Sequence, residues 1–166
     1  MNPKDKISKY FTIQELIATS PENQAKLRAL GLHNVPNLAV LTNLTSLAKF
    51  VLDPVREFIG GPLAVTSGYR SPKLNEFVGG SPSSQHMVGC ACDLDAHVYG
   101  VGTNAQFFWC IVNRLDFDQV IWEFGTDLEP DWVHVSYVSP LENRRKITRA
   151  ILKNGKTQYI PYDFNR

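Results

Sequence analysis

Two histidines and two aspartates have the types and spacing of a metal-dependent hydrolytic site. His86 and Asp93 lie seven positions apart in SSQHMVGCACD, and Asp131 and His134 lie three apart in DWVH. Catalytic zinc takes three protein ligands from histidine and carboxylate groups and keeps one position for water. His86, Asp93 and His134 would meet that requirement. Asp131 could then reach the water and act as general base and acid.

Spacing alone leaves a simpler interpretation open. A histidine beside a turn is commonly a surface or hydrogen-bonded residue, and both H-x6-D and D-x-x-H occur often without a metal. His134 is harder to dismiss, because it lies in the apolar run WVHVSY, where a half-buried imidazole needs partners for both nitrogens. His33 and His97 have no comparable context, and we interpret both as surface or structural residues.

Three cysteines could add metal ligands, but their pattern favours packing. Cys90 and Cys92 are two positions apart in GCACD, so on a strand both thiols point away from the face that carries Asp93. An odd number of cysteines without a visible secretory signal also argues against disulfides. We therefore predict that these two residues and Cys110 are buried and reduced.

Length and charge exclude several classes of protein. The chain has 166 residues, near the usual size for one hydrophobic core, and its 17 basic and 16 acidic residues leave a formal charge of +1. This balance argues against a dedicated nucleic-acid binder. We expect no membrane partner, because no stretch approaches the roughly 20 apolar residues of a membrane span. The charged N-terminus lacks the apolar region of a secretory signal, which predicts synthesis in the cytoplasm.

Periodicity predicts helices in the first part of the chain. Thr12 and Glu15 form a capping-box pattern at the start of a short helix. Apolar residues three and four apart predict a long helix over 37–60. Pro54 within it predicts either a kink or a second helix capped by Asp53. Another helix is predicted for NAQFFWCIVNRL.

Strands follow, mixed with that last helix. They are predicted at 63–66 and in ACDLDA, FDQVIWEF and DWVHVSY. Asn154-Gly155 predicts the turn of a C-terminal hairpin. The order indicates one α+β domain over 1–166, with its core at about 10–139 and the hairpin in 140–166. We expect a mostly antiparallel sheet that carries the site, with N-terminal helices packed on it.

A longer motif resembles a known family. SGYRSPKLNEFVGGSPSSQHMVGCACDLDA is similar to the central signature of the zinc D-alanyl-D-alanine peptidases, a superfamily that includes phage L-alanyl-D-glutamate endopeptidases and the zinc domain of hedgehog proteins. Its core pattern S-x-H-x-x-G-x-A-x-D is filled by Ser84, His86, Gly89, Ala91 and Asp93. WVHVSY supplies the expected late histidine. YFTIQEL and VLDPVRE resemble a single-domain branch common in phages, so the resemblance covers about 10–139.

The resemblance implies roles for the residues at the site. It implies one zinc ion, held by His86, Asp93 and His134. Asp131 matches the acid/base carboxylate; many members have glutamate there with tryptophan next to the histidine, whereas here Trp132 is one place earlier. Endopeptidase members also use aspartate. Arg70 matches an arginine directed at the substrate, where it could stabilise the oxyanion; the alternative is that it braces a loop.

Neighbouring residues receive supporting roles. Tyr69, Ser84 and Gln85 are predicted to bind substrate, and the last two also form the loop that aims the His86 ring. Asp95 shares a strand face with Asp93 by the two-residue period and is predicted to support the ligands.

Two residues of VIWEF allow two interpretations. Trp122 and Glu123 are interpreted as core residues, and the alternative places them at the end of a strand near the site.

The implied function is hydrolysis of peptide bonds in peptidoglycan stem peptides by a monomeric D-Ala-D-Ala carboxypeptidase or L-Ala-D-Glu endopeptidase. We expect a phage or prophage lysis enzyme that reaches the cell wall after phage-mediated release. The alternative is a catalytically inactive, zinc-stabilised module that binds cell wall or protein. The C-terminal segment 144–156 contains basic but no acidic residues. It could hold the anionic cell wall or protect an edge strand from aggregation.

Overall fold

The computed structural model describes residues 2–164, in which an N-terminal set of helices is followed by a six-stranded sheet. The helices are α1 (Ile13–Ile17), α2 (Pro21–Ala29), α3 (Leu38–Leu47), α4 (Asp53–Ile59), α5 (Pro72–Phe77) and α6 (Asn104–Arg114). The strands are β1 (Val65–Ser67), β2 (Ala91–Leu94), β3 (Gln119–Glu123), β4 (Trp132–Ser136), β5 (Lys146–Lys153) and β6 (Lys156–Pro161). Short 3-10 turns occupy Gln85–Val88 and Ala96–Val98.

The N-terminal helices begin as their sequences predict. In α1 the Thr12 hydroxyl accepts a hydrogen bond from the Glu15 N–H, and the Glu15 carboxylate accepts one from the Thr12 N–H. Both halves of the predicted capping box are therefore present.

The long helix predicted over 37–60 is one helical run whose middle is widened. A π turn, Ala48–Leu52, joins α3 to α4, and the Asp53 N–H donates to the Ala48 carbonyl. Pro54 offers no N–H to a regular helical turn, and a π turn is one of the ways in which a helix accommodates such a residue. Asp53 does not cap a second helix. Its carboxylate accepts hydrogen bonds from the Ser8 hydroxyl and the Lys9 N–H instead.

This helical run also corrects the expectation about apolar segments. By length and composition alone, the 22 residues Leu38–Ile59 are apolar enough to cross a membrane. Half of the most apolar 18-residue stretch of this run is buried inside the protein. Leu44, Leu47, Val51 and Val55 are fully buried in the hydrophobic core. The helical run is apolar because the face that carries these four residues packs against the core of the protein.

The sheet has the order β1-β2-β4-β3-β5-β6, and only the β3–β5 pair is parallel. The predicted α+β fold with a mostly antiparallel sheet is therefore confirmed. Leu94, Val133 and Trp122 form a row of register partners that lies in the core with the helices. Because side chains alternate along a strand, the residues on either side of this row face the opposite surface of the sheet.

Two rows on that opposite surface build the site. Asp93, His134 and Ile121 are register partners across β2, β4 and β3. Two residues further along, Trp132, Glu123, Ala150 and Tyr159 are register partners across β4, β3, β5 and β6. Side chains in one row share a face of the sheet. The second row therefore joins the C-terminal hairpin to the strands that carry Asp93 and His134.

The hairpin has the predicted turn. Asn154 and Gly155 adopt φ values of 53° and 72° between β5 and β6. Two consecutive residues with positive φ are the signature of a type I′ turn, which Asn-Gly favours.

The three cysteines are free and buried. Cys92 has no exposed surface and, one position from Asp93, lies on the core side of β2. The prediction that the cysteines pack in the interior is confirmed.

Candidate active site

Three predicted ligands converge at the open face of the sheet. Asp93 and His134 come from neighbouring strands, and His86 comes from the 3-10 turn that precedes β2. Oδ1 of Asp93 lies 2.9 Å from Nδ1 of His134 and 3.4 Å from Nε2 of His86. The two histidine nitrogens are 3.3 Å apart. All three donor atoms lie within 4.8 Å of one another, close enough to hold one metal ion.

The chemistry of this donor set fits zinc. Nδ1 of His86 lies 2.7 Å from the Gly68 carbonyl, so the Nδ1–H donates there and Nε2 is left with its lone pair toward the cluster. Burial lowers the pKa of His86, which favours the neutral, metal-binding form. Burial by itself would raise the pKa of Asp93, but its interactions with His86 and His134 outweigh burial and hold it well below its usual range. Two imidazoles and one carboxylate are a zinc-type set.

Two glycines permit the backbone path around His86. Gly89 ends the 3-10 turn with φ of 75°, and a Cβ there would lie 2.7 Å from the Val40 carbonyl oxygen. A Cβ on Gly68 would lie 2.2 Å from the Leu16 carbonyl oxygen. Glycine avoids the backbone strain at Gly89 and the clash at both positions, so these positions fix where the His86 ring and its carbonyl partner lie.

Arg70 is bound to one of the ligands. Its Nη2 lies 2.6 Å from Oδ2 of Asp93, and its Nε donates to the Ser67 hydroxyl at 2.7 Å. Its backbone N–H also donates to the His86 carbonyl. The guanidinium therefore holds the outer oxygen of Asp93 while the inner oxygen faces the histidines. This arrangement favours the bracing role that the sequence left as an alternative.

The cluster opens into a cavity of about 550 Å³. Predicted substrate-binding residues Tyr69 and Ser84 line this cavity together with Arg70. Gln85 does not line it. Its side chain donates to the Asp118 carboxylate at 2.9 Å and lies in an adjoining cavity. The structure thus brings two of the three predicted substrate contacts to the ligands and the third to their neighbourhood.

Asp131 is not brought into this cavity. Its side chain is exposed and is not part of the lining. Its backbone N–H donates to the Glu123 carbonyl at 2.9 Å, and its carbonyl accepts from the Asn104 amide. Asp131 lies three residues before His134, and an odd spacing along an extended chain puts two side chains on opposite faces.

The Asp95 carboxylate also lies away from the three ligands. Strand β2 ends at Leu94, so the two-residue alternation from Asp93 does not continue. The Asp95 carboxylate caps the following 3-10 turn, accepting from the His97 N–H at 2.9 Å, and lies 2.9 Å from the His97 ring nitrogen. It makes no contact with the three ligands among the hydrogen bonds of residues 2–164.

Glu123 lies at the site, which was the alternative interpretation of VIWEF and not the preferred one. Trp122 lies in the core as expected, but Glu123 projects from the other face of β3 and lines the cavity. Its side chain is only 5% exposed, and burial raises its pKa to about 7. Within residues 2–164 no hydrogen bond to its carboxylate is found. In the sequence, Glu123 could have been identified as a site residue because it is an acidic residue at the end of an otherwise apolar strand.

Comparison with known proteins agrees with this geometry. A family model described as peptidase M15 matches residues 9–136 of the chain. No curated protein matches it. The matched segment contains all three candidate ligands, Arg70 and Glu123, and it ends before the C-terminal hairpin.

Proposed function

Because the chain belongs to the peptidase M15 family, the superfamily of zinc D-Ala-D-Ala carboxypeptidases, we propose that it is a zinc-dependent peptidase that hydrolyses peptide bonds in the stem peptides of bacterial peptidoglycan. One observation carries the proposal. His86, Asp93 and His134 bring their donor atoms within 4.8 Å of one another on the wall of a cavity that also contains a buried carboxylate. The three ligands would hold one zinc ion. When bound there, zinc would polarise the scissile carbonyl and make water a stronger nucleophile near neutral pH.

Glu123 is the proposed general base. It is buried, it lines the same cavity as the ligands, and its row on the sheet is next to the row of His134. Its carboxylate would accept a proton from the attacking water and deliver it to the leaving amine. Cavity lining and burial support Glu123 over Asp131 for this role. Asp131 as the acid/base residue stays a prediction from resemblance.

Arg70 and Gly68 would keep two ligands in place. The Arg70 guanidinium holds Asp93 from the side opposite the histidines, and the Gly68 carbonyl fixes the ring orientation of His86. Such supporting contacts tune the affinity of a metal site. Action on the cell wall after phage-mediated release is also part of this proposal, and it rests on resemblance alone.

Mass spectrometry of purified peptidoglycan fragments would test the proposed function. The zinc-loaded protein should release new peptide products, and both a chelated sample and the Glu123→Gln variant should release none. If the zinc-loaded protein leaves every fragment intact while zinc is bound at the three ligands, the zinc-stabilised binding module is the better description.

A further inference from the structure

Tyr159 lies where two cavities meet. The cavity at the metal ligands, of about 550 Å³, and a second one of about 640 Å³ are both lined by Ser81, Ser84, Ile121, His134 and Tyr159. The two cavities therefore adjoin along these five residues. Together they form a space, which we name the through-cleft, that extends from the metal ligands past Tyr159 to Arg144 and Lys146.

The fold places Tyr159 beside the catalytic carboxylate through the sheet register. Glu123 pairs with Ala150, and Ala150 pairs with Tyr159, so the three side chains share one face. Ala150 is fully buried and small, which leaves room between its two larger neighbours. Burial raises the pKa of Tyr159, and the charges of Glu123 and Asp93 raise it further. Even so, the Tyr159 side chain is 58% exposed, which leaves most of it available for contact with a ligand.

The charged residues along the through-cleft suit an internal segment of a substrate peptide better than its C-terminal carboxylate. A terminal carboxylate next to the scissile bond is bound most strongly by an unpaired cation, because a hydrogen bond between two charged groups is stronger than one to a neutral donor. Among the described residues that line the first cavity, Arg70 is the one lysine or arginine, and Asp93 already holds it at 2.6 Å. In the second cavity Arg144 donates to Asp118 at 2.8 Å.

Among the described residues that line the second cavity, Lys146 is the other lysine or arginine, and it lies farther from the ligands. It is two strands and two residues from His134, which corresponds to about 12 Å between Cα atoms. That separation suits an anionic group farther along a bound chain better than a carboxylate on the residue next to the cleaved bond.

We propose that the through-cleft binds a peptide on both sides of the scissile bond and that Tyr159 positions this chain over the metal ligands. The inference rests on the proposed function and makes the enzyme an endopeptidase. Water adds across one internal amide: the C–N bond breaks, a C–O bond forms, and a proton passes to the leaving amine. Tyr159 acts as a positioning residue that belongs to the hairpin, outside the segment that matches the family model.

A pair of synthetic stem-type peptides tests the proposal. Both carry a blocked N-terminus, and one ends in a free carboxylate while the other ends in an amide. The zinc-loaded protein should cleave both at an internal bond with kcat/KM values that agree within about threefold. Tyr159→Ala should raise KM about tenfold with little change in kcat, as expected for loss of an aromatic contact with substrate. Tyr159→Phe should retain the wild-type KM.

A matched control and a binding measurement complete the experiment. Tyr99 is similarly exposed, at 56%, and lines neither cavity, so Tyr99→Ala should leave KM unchanged. Calorimetric titration of the zinc-free protein with the amidated peptide should show weaker binding for Tyr159→Ala than for Tyr99→Ala.

Three outcomes would overturn the proposal. Cleavage that requires the free carboxylate would make the enzyme a carboxypeptidase and leave the proposed function standing. Equal KM values and equal peptide affinities for the two alanine variants would remove Tyr159 from substrate positioning. If no peptide is cleaved, the proposed function fails, and the calorimetric comparison still decides whether Tyr159 contacts the chain.

Discussion

Asp93 and His134 are register partners on the neighbouring strands β2 and β4, and Oδ1 of one lies 2.9 Å from Nδ1 of the other. Backbone pairing of these strands therefore brings two of the three candidate ligands together without a flexible loop. His86 completes the cluster from a short turn that Gly89 ends. Metal binding at this site should depend on all three side chains and little on other histidines.

We expect His134→Ala to bind zinc more than about 100-fold more weakly than the wild type, a larger effect than the 10–100-fold typical of residues that only support ligands. The reason is the loss of one of three donor atoms. Competition with a chromophoric chelator measures this affinity. His33→Ala is the control, because His33 is exposed and outside the cluster. Similar zinc affinities for the two variants would contradict the assignment of His134.

Glu123→Gln should lower the rate of peptide cleavage by about 10²- to 10⁴-fold, the usual contribution of a general base. Zinc content should stay at the wild-type value, because Glu123 is not one of the clustered ligands. Asp131→Asn is the informative comparison and should change the rate only a few-fold. The reverse pattern, with Asp131→Asn inactive and Glu123→Gln active, would restore the role that resemblance assigns to Asp131.

The stability of the zinc-free protein should depend on pH through Glu123. Burial raises the pKa of Glu123 from its usual 4.5 to about 7, so the folded state keeps its proton over a range where the unfolded state has lost it. The stabilising contribution of the protonated group is fully present below pH 4.5 and is lost as the pH rises through 7. Relative to the wild type, Glu123→Gln should gain about 2 kcal/mol between pH 5 and pH 8.

Chemical denaturation of the chelated proteins at the two pH values measures this gain. Glu76→Gln serves as control, since Glu76 is an exposed carboxylate in a surface pair with Lys73, and such pairs contribute little. A pH-independent difference between Glu123→Gln and the wild type would show that Glu123 is not held in a desolvated environment.

Arg70→Ala should weaken zinc binding by about 10–100-fold, the range found for residues that orient ligands. The expectation follows from the 2.6 Å contact of Arg70 with Asp93. A role in oxyanion stabilisation alone would instead reduce kcat and leave zinc affinity unchanged. The same chelator competition distinguishes the two roles. Arg28→Ala, which alters an exposed arginine away from the metal ligands, should match the wild type.

Local sequence patterns could predict the elements that carry the ligands. The capping box at Thr12, the Asn154-Gly155 turn and the apolar strand WVHVSY all depend on interactions between residues close in the chain. The fold class followed from their order. The metal-binding hypothesis needed a longer motif, because the H-x6-D spacing acquires meaning only when a sharp turn such as that at Gly89 brings the histidine back over the strand.

The remaining features depend on pairing between distant strands. Glu123 reaches the site because β3 pairs with β4, and no spacing within VIWEF reveals that neighbour. Asp131 and Asp95 were assigned roles from their spacing to a ligand. Spacing alone does not show where a strand begins or ends, and so it does not show which way these side chains point. The β2 strand stops at Leu94, which turns Asp95 away. The parallel pairing of β3 with β5, which brings Tyr159 to the cavity, is likewise invisible in the hairpin sequence.

The C-terminal hairpin is attached to the sheet through one strand only. Strand β6 is at the edge and pairs with β5 alone, and both strands follow the segment 9–136 that matches the family model. Side chains on its cavity-facing side can therefore be exchanged without altering any strand that holds a ligand. In evolutionary terms, the fold separates the strands of the family segment from a replaceable appendage, so the proposed substrate contacts can change through a few residues of the hairpin while the strands that carry Asp93 and His134 stay the same.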